Sequence, residues 1–226
     1  MTLGVLPSAT LDRMRDPGAP VDLYRLLEAA GEPELIDREI PGNAEILELG
    51  CGSGRITHPL VALGRRVVAV DFNPEMLDLI EGAETVLSRI EDLDLGRTFG
   101  GVLLMSTLIN APEDARLALL RSVRRHLAPN GVALIERYDP EIGNDPTPTE
   151  RHLGAVTIRV SEISRDADRI YQTIDYDGGT HGHWQIRIQG RHVVNDDEML
   201  ASLAEAGLRL MRWIDPQRRW LAAALL

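Results

Sequence analysis

The chain has 226 residues, of which 44% are hydrophobic and 26% charged, and its formal net charge is −11. This composition is typical of one globular domain with room for a small added element, and the acidic charge disfavours nucleic acid and anionic membranes as partners. No apolar stretch is long enough to cross a bilayer and the first residues lack the regions of an export signal, so we expect a cytoplasmic protein.

Two residue types narrow the chemistry. The chain contains no lysine, since all 24 basic residues are arginine. This excludes P-loop ATPases, whose lysine contacts the phosphates, and enzymes that form a Schiff base through lysine, including those that use pyridoxal phosphate. The single cysteine, Cys51, excludes an internal disulfide and a cysteine-rich zinc site.

The predicted elements begin with two helices. Helical spacing in PVDLYRLLEAAG predicts a helix capped at its C-terminus by Gly31, and PELIDREIPG predicts a second helix stopped by Pro41. From residue 44, short apolar runs alternate with helical patterns, which is typical of βαβ units on a parallel sheet. The predicted strands are AEILEL, RRVVAVD, ETVLSRI, GGVLLMS and VALIERY. Helices between them are predicted from Arg55, from Pro74 after an Asn73 cap, and from Pro112.

The pattern changes after the fifth strand. EIGNDPTPTERH predicts a flexible linker, and the runs VTIRVSEI, RIYQTIDY and HWQIRIQ, separated by turn residues, predict an antiparallel meander. DDEMLASLAEAG then predicts a helix, and LRLMRWID and RWLAAALL predict two closing strands.

The stretch ILELGCGSG lies between the first strand and its helix, where glycines bring a nucleotide-like ligand close to the backbone. The dinucleotide fingerprint G-x-G-x-x-G would require glycine at position 55, but the chain has Arg55 there and its glycines are Gly50, Gly52 and Gly54. An arginine that opens the helix suits a carboxylate ligand, which it binds with two hydrogen bonds.

Three motifs in order, ILELGCGSGRIT, VVAVDFNPEML and LAPNGVALIE, resemble those of class I S-adenosylmethionine-dependent methyltransferases. The resemblance covers residues 44–137 and resumes from 196 to the end. It implies a Rossmann-like α/β fold: a seven-stranded, mostly parallel sheet with an antiparallel last strand, with the meander inserted after the fifth strand. The expected single domain comprises N-terminal helices (1–43), a cofactor-binding core (44–154), the meander (155–194) and a closing helix with strands (195–226).

This resemblance, with the chemistry of S-adenosylmethionine, implies a set of cofactor-binding residues. Asp71 is expected to accept hydrogen bonds from the ribose hydroxyls, and Arg55 and Tyr24 are candidates for the methionine carboxylate, although Tyr24 also fits helix packing. Glu48 is expected to face the ammonium group or to cap the loop amides. The full predicted set is Tyr24, Glu48, Gly50, Gly52, Gly54, Arg55, Asp71, Phe72, Met76, Ile90, Glu91, Met105 and Ser106.

The adenine end of that set departs from the family pattern. Phe72 and Met76 are expected to contact adenine, or else to belong to the core. Arg89 stands where the family often has an acid for the adenine amino group, so the backbone N–H of Ile90 or the carboxylate of Glu91 is expected to replace it. Gly101 likewise stands where an aspartate often opens the fourth strand, outside this end of the site.

Methyl transfer is an in-line displacement that depends mainly on alignment in a dry pocket, and a general base is needed only when the acceptor must lose a proton. Met105 and Ser106 are expected to lie beside the sulfonium. The candidate catalytic residues are His181, His183 and Tyr138, and the candidate substrate-binding residues are Asn110, Tyr138 and His152. Each also has an ordinary structural interpretation. Because no third ligand accompanies His181 and His183, no metal is expected.

Together these features predict an enzyme that transfers a methyl group from S-adenosylmethionine to the O, N or C atom of a small molecule, such as a natural-product intermediate. A non-catalytic S-adenosylmethionine-binding protein on the same fold is the alternative, and an NAD-dependent reductase is disfavoured by Arg55. The meander is interpreted as a lid or wall over the substrate, or as a dimer interface, so monomer and homodimer both stay open.

Overall fold

The computed structural model describes residues 21–226, so the predicted N-terminal region lies partly outside the described residues. The strands are β1 Ile46–Leu49, β2 Val67–Asp71, β3 Glu84–Leu87, β4 Phe99–Leu104, β5 Leu127–Glu136, β6 Thr149–Leu153, β7 Val156–Asp166, β8 Arg169–Asp177, β9 His183–His192, β10 Leu208–Trp213 and β11 Trp220–Leu225. The helices are α1 Val21–Tyr24, α2 Glu32–Glu39, α3 Thr57–Ala62, α4 Pro74–Leu77, α5 Glu113–His126 and α6 Asp196–Glu205.

Seven strands form one sheet in the order β10-β11-β5-β4-β1-β2-β3. Strands β1 to β5 are mutually parallel where they pair, and β11 runs antiparallel to both β5 and β10. Every residue of β1 and β2 is buried, as expected for parallel strands that helices cover on both faces. The predicted Rossmann-like fold is therefore confirmed.

The register brings the carboxyl ends of the central strands to one level. Leu49 pairs with Val70 and Leu104, and Leu104 pairs with Ile135. The next residue on each strand therefore lies at the same edge of the sheet, and these residues are Gly50, Asp71, Met105 and Glu136. This edge is where open α/β sheets bind ligands.

Two apolar clusters hold helices to the sheet. On one face Leu120 of α5 and Leu203 of α6 pack over residues such as Leu47. On the other face Ile36 of α2 and Leu60 of α3 pack over a set that includes Ile46, Leu103 and Leu134. Removal of these side chains from water is the main force that fixes the helices against the sheet. No helix within residues 21–226 is long and apolar enough to cross a membrane.

Strands β6 to β9 form a separate antiparallel sheet, here called the second sheet. Its apolar face packs on Leu23 of α1, which is 1% exposed, through Val156 and Ile158. Tyr24, the last residue of α1, contacts the glycine loop, because its carbonyl accepts a hydrogen bond from the Ser53 hydroxyl at 2.9 Å. The α1 segment therefore joins the second sheet to the glycine loop.

Two local predictions are wrong. The first predicted helix stops at Tyr24, because Leu26 and Leu27 turn to pack on the second sheet, and Gly31 instead precedes α2 as its N-cap with φ +98°. The predicted linker over 141–152 also ends in a strand, since Thr149–Leu153 is β6 and pairs with β7. The two-residue turn 154–155, with Gly154 at φ +59°, makes that reversal possible.

A buried arginine closes the end of the large sheet. The Arg137 guanidinium donates to the carbonyls of Val194 and Arg218 at 2.9 and 2.8 Å, pairs with the Asp196 carboxylate, and lies 4.4 Å from the centre of the Trp213 ring. Burial lowers the pKa of Arg137, and the ion pair with Asp196 opposes that shift. This side chain ties the exit of β5 to the closing helix and strands.

Candidate active site

The glycine loop adopts a conformation that only glycine reaches without strain. Gly50, Gly52 and Gly54 have φ of +80°, +54° and +88°. A side chain would also collide with neighbours, since a Cβ on Gly50 would lie 2.9 Å from Leu108 and one on Gly54 would lie 2.5 Å from the His58 ring. Leu108 and His58 therefore pack closely against the loop, whose backbone lies at the carboxyl ends of the strands.

Asp71 fastens this loop to the neighbouring strand. One carboxylate oxygen accepts the Gly52 N–H and the other accepts the Asn73 N–H, both at 2.9 Å. The side chain is 7% exposed. Each carboxylate oxygen has two lone pairs, so Asp71 can accept further hydrogen bonds from a ligand that carries hydroxyl groups. Its predicted ribose role stays a prediction, to which the structure adds support of the loop.

Glu48 lies beneath the loop and is 3% exposed. The Thr57 hydroxyl donates to its carboxylate at 2.6 Å. Burial raises the pKa of Glu48 from 4.5 to about 7, against the lowering effects of that hydrogen bond and of Arg55. The loop amides of Gly50 and Gly52 donate to Val70 and Asp71 instead, so the described contacts give no support to the capping alternative.

Arg55 forms an ion pair with Glu32 of α2 at 2.6 Å. Burial tends to raise the pKa of Glu32, but the hydrogen bond and charge of Arg55 prevail and hold it below its ordinary value. A guanidinium has five N–H donors, so one ion pair does not exhaust Arg55, and its role toward a ligand carboxylate stays a prediction. The ring of Tyr24 lies 3.8 Å from the position of a Cβ on Gly52, close to the loop as predicted.

A cleft of about 390 Å³ opens beside the glycine loop. Gly54, Arg55 and His58 line one wall, and residues between 27 and 34 line the other. The cleft lies on the side of α2 and α3 and excludes Asp71 and Phe72. Burial raises the pKa of the Cys51 thiol in the same loop, which keeps it un-ionised and argues against a nucleophilic role.

The predicted adenine end lies beyond Asp71. The Phe72 side chain is 53% exposed, which is unusual for a large aromatic residue. Met76 and Ile90 are buried, and Ile90 also lies 3.6 Å from a Cβ on Gly50. Arg89 pairs with Glu91 at 3.2 Å, so the residue that departs from the family pattern is bound by the acid expected to replace it.

The turn after β4 has an uncommon backbone. Ser106 and Thr107 have φ of +54° and +59°, which is costly for a β-branched residue. Two hydrogen bonds join this turn to the exit of β5: the Ser106 N–H donates to Glu136 at 2.8 Å, and the Tyr138 N–H donates to the Asn110 side chain at 2.7 Å. These bonds hold the strained turn against β5.

Two polar groups lie at this turn: Asn110, a predicted substrate-binding residue, and Glu136, to which the sequence pattern assigned no role. The Asn110 amide nitrogen is buried and has no hydrogen-bond partner in the described structure. Burial raises the pKa of Glu136, although the Ser106 N–H and the charge of Arg55 lower it. The sequence does not single out Glu136, because nothing in the local pattern indicates that the β4 turn folds back onto its carboxylate.

Of the predicted histidines, His152 and His183 lie on strands of the second sheet, and His181 lies in the turn between β8 and β9. The Thr157 hydroxyl lies 3.1 Å from the His152 ring, and His183 lies 3.6 Å from Asp175. Within residues 21–226 the assigned hydrogen bonds do not join His152, His181 or His183 to the strand ends, and their predicted roles stay untested. The described residues include no group of three or more potential ligands that would hold a metal ion.

Comparison with known proteins finds a matching family model and several similar proteins. A family model described as a methyltransferase domain matches residues 46–131. The cypemycin N-terminal methyltransferase of a Streptomyces species is 35% identical over 141 residues, which cover 57% of this chain and 57% of that protein. The dTDP-4-amino-2,3,4,6-tetradeoxy-D-glucose N,N-dimethyltransferase of Saccharopolyspora spinosa is 25% identical over 197 residues, which cover 80% of this chain and 78% of that protein. The chain spans about half the length of the first curated relatives that it matches, at 57% and 48%.

Two solved structures align along almost the whole chain. An S-adenosylmethionine-bound amino pentose methyltransferase from Micromonospora echinaspora, involved in calicheamicin biosynthesis, has a TM-score of 0.65 at 21% identity and covers 100% of this chain and 99% of its own. DesVI from Streptomyces venezuelae has a TM-score of 0.68 at 19% identity and covers 99% and 100%. At these identities the likeness is one of fold.

Proposed function

We propose that the chain belongs to the class I S-adenosylmethionine-dependent methyltransferases and that it transfers a methyl group from S-adenosylmethionine to a small-molecule acceptor. The observation that carries the proposal is the joining of the glycine loop to Asp71. Three left-handed glycines let a ligand approach the backbone, and a buried carboxylate bonded to Gly52 stands one strand away. A ligand that has a ribose and no phosphate fits these groups.

The charges beside the glycine loop favour a cationic ligand. Glu48 and Asp71 contribute two carboxyl groups, whereas the nearby Arg55 is already paired with Glu32. S-adenosylmethionine carries a sulfonium and an ammonium group, which such a site attracts. We assign the adenine contact to Phe72, which directly follows Asp71 at the end of β2.

When bound, S-adenosylmethionine supplies an electrophilic methyl group on a positively charged sulfur. The chain's own part is to hold that donor and an acceptor in line and to exclude water. The β4 turn, fixed by Glu136 and Asn110, is the rigid edge at which we place the transferred methyl group, next to Met105. No residue needs to act on the methyl group itself.

We assign the second sheet as a wall of the acceptor pocket. The α1 segment lies between that sheet and the glycine loop, and the Glu28 carboxylate packs against Gly154 in the β6–β7 turn. The outer face of the second sheet carries paired charges, such as Arg159 with Glu150 at 2.6 Å, which suits solvent. The net charge of −11 favours small molecules over nucleic acids as acceptors.

Calorimetric titration with S-adenosylhomocysteine tests the proposal, with NADH as the comparison ligand. We expect Asp71→Ala to weaken S-adenosylhomocysteine binding by more than about tenfold, since a hydrogen bond to a charged group contributes about 1.5 to 3 kcal/mol. Asp78→Ala, an exposed aspartate on α4's C-terminal side, is the matched control and should bind normally.

Comparison of adenosine with 2′-deoxyadenosine separates ribose contact from loop support. If Asp71 contacts the ribose, the wild type should prefer adenosine and Asp71→Ala should lose that preference. NADH binding without S-adenosylhomocysteine binding would overturn the function.

An acceptor screen with labelled methyl donor then tests catalysis. Amines come first, because the two curated relatives described above are named as an N-terminal methyltransferase and an N,N-dimethyltransferase. The same screen includes alcohols and phenols. Binding of S-adenosylhomocysteine with no labelled product from any acceptor would favour a non-catalytic binding protein on the same fold.

A further inference from the structure

We propose that the acceptor is an amine and that the carboxylate of Glu136 receives its N–H group at the point of methyl transfer; this rests on the methyl transfer proposed above. The inference comes from the position of Glu136, from the partners of its two oxygens, and from the turn that holds it.

Glu136 stands beside the expected path of the methyl group. It ends β5 and lies level with Met105 at the end of β4 and with Gly50 at the end of β1. Neighbouring strands are about 4.8 Å apart, so Glu136 lies about 10 Å across the sheet from the glycine loop. A donor whose methionine part lies over the loop would therefore present its methyl group toward β4, with Glu136 on the far side, where an acceptor must enter.

The Glu136 carboxylate is only partly satisfied by the protein. One oxygen accepts the Ser106 N–H at 2.8 Å, and the other takes no assigned hydrogen bond from residues 21–226. The charged groups that face it are Arg55, Glu32 and Arg219. Both arginines are already paired, Arg55 with Glu32 at 2.6 Å and Arg219 with Asp215 at 3.2 Å. No cation in the described chain forms an ion pair with Glu136, and a carboxylate in this state favours a cationic partner.

The strained turn gives the free oxygen a fixed direction. Ser106 and Thr107 hold left-handed backbone conformations, and their turn is pinned to β5 at both ends by the bonds of Glu136 and Asn110. A carboxylate used only for packing would not require such a backbone. Strain of this kind persists where the surrounding structure enforces it, and it concentrates at binding and catalytic sites.

The proposed step balances in atoms and charge. A bound ammonium first loses one proton to water, which frees the lone pair on nitrogen. That lone pair forms a bond to the methyl carbon while the carbon–sulfur bond breaks, and the electron pair of the broken bond stays on sulfur as a neutral thioether. Positive charge therefore moves from sulfur to nitrogen, and Glu136, accepting a hydrogen bond from that nitrogen, stabilises the charge as it develops. One N–H proton of the methylated ammonium then passes to water.

The test uses two probes of equal skeleton, cyclohexylammonium and cyclohexanol, titrated into the full chain saturated with S-adenosylhomocysteine and followed by ligand-observed NMR. We expect the wild type to bind cyclohexylammonium at least tenfold more tightly than cyclohexanol, as a charge-assisted hydrogen bond would give. Glu136→Gln should bring the two affinities within threefold, and should leave S-adenosylhomocysteine affinity within threefold of wild type.

Two further variants make the result specific. Glu141→Gln removes an exposed carboxylate five residues away and should keep the preference for the ammonium probe. Glu136→Asp keeps the charge and should keep a reduced preference, even if the glutamine variant folds poorly. In the labelled-methyl screen, Glu136→Gln should lower kcat/KM for amines by about 30-fold.

Equal binding of the two probes by the wild type, an unchanged preference in Glu136→Gln, or labelled products from alcohols but not from amines would each overturn this proposal while leaving methyl transfer in place. Failure of the wild type to bind S-adenosylhomocysteine would overturn the proposed function itself, which separates the two failures.

Discussion

Glu48→Gln should stabilise the protein above neutral pH. The carboxyl is 3% exposed, and burial raises its pKa from 4.5 to about 7. A group whose folded pKa lies above its unfolded value favours folding while it is protonated. That stability is present below pH 4.5, falls as the pH rises between 4.5 and 7, and stays lost above 7. Glutamine has no charge to desolvate, and its side-chain oxygen can still accept the Thr57 hydroxyl.

The magnitude follows from the two pKa values. Each pH unit between them corresponds to about 1.4 kcal/mol, so the ionised Glu48 costs the folded state about 3 kcal/mol above pH 7. Part of that cost is already present at pH 5. Between pH 5 and pH 8 the wild type should therefore lose about 2 to 3 kcal/mol relative to Glu48→Gln.

Urea unfolding of both proteins at pH 5, 6, 7 and 8, without added ligand, measures this difference through the free energy of unfolding. Glu81→Gln, an exposed glutamate after α4, serves as the control and should follow the wild type at every pH. A difference between Glu48→Gln and wild type that does not change with pH would refute the reasoning, since packing alone would then explain the effect.

Three further predictions concern the buried Arg137, the glycine loop and the charge of the candidate site. Arg137→Met should lower the free energy of unfolding by about 3 kcal/mol, because it leaves buried partners without a donor. Arg218 is an exposed partner of Asp196, so Arg218→Met should cost less than about 1 kcal/mol in the same urea experiment. Equal losses would contradict the structural role of Arg137. Gly54→Ala should destabilise the chain more than Gly64→Ala in thermal unfolding, since both have positive φ but only the Cβ on Gly54 meets a neighbour, the His58 ring at 2.5 Å; equal shifts would mean that the ring moves aside freely. Binding of the cationic S-adenosylmethionine at pH 7 should release about half a proton from Glu48, measured by calorimetry in buffers of different ionisation enthalpy, and none at pH 9; the same release at both pH values would assign the proton to another group.

The sequence was most informative where structure depends on neighbours in the chain. The buried runs at β1 and β2 and the glycines of the loop are local signals, and they predicted the fold and the edge that carries the site. Helical spacing after α1 was misleading because Leu26 and Leu27 pack on strands more than a hundred residues away. Local periodicity cannot anticipate such a contact.

The acceptor end of the site was hidden for the same reason. The bond from Ser106 to Glu136 spans 30 residues, and the left-handed Ser106 and Thr107 contain no glycine to mark them. The Arg137 guanidinium donates hydrogen bonds to the carbonyls of Val194 and Arg218, which lie 57 and 81 residues further along the chain. Sequence reasoning can name such ionisable residues but cannot say which of them find partners.

Glu136 and Arg137, two adjacent charged residues at the end of β5, differ in the number of partners that the protein gives them. Successive residues of a strand point to opposite faces, so Glu136 faces the side of α2 and α3 while Arg137 faces the closing helix. Arg137 has two carbonyls, a carboxylate and an aromatic ring around it, a complete set for a buried guanidinium. Glu136 has one amide for two oxygens. The fold alone therefore explains Arg137, whereas Glu136 keeps one oxygen available for the amine acceptor that we propose, beside Met105.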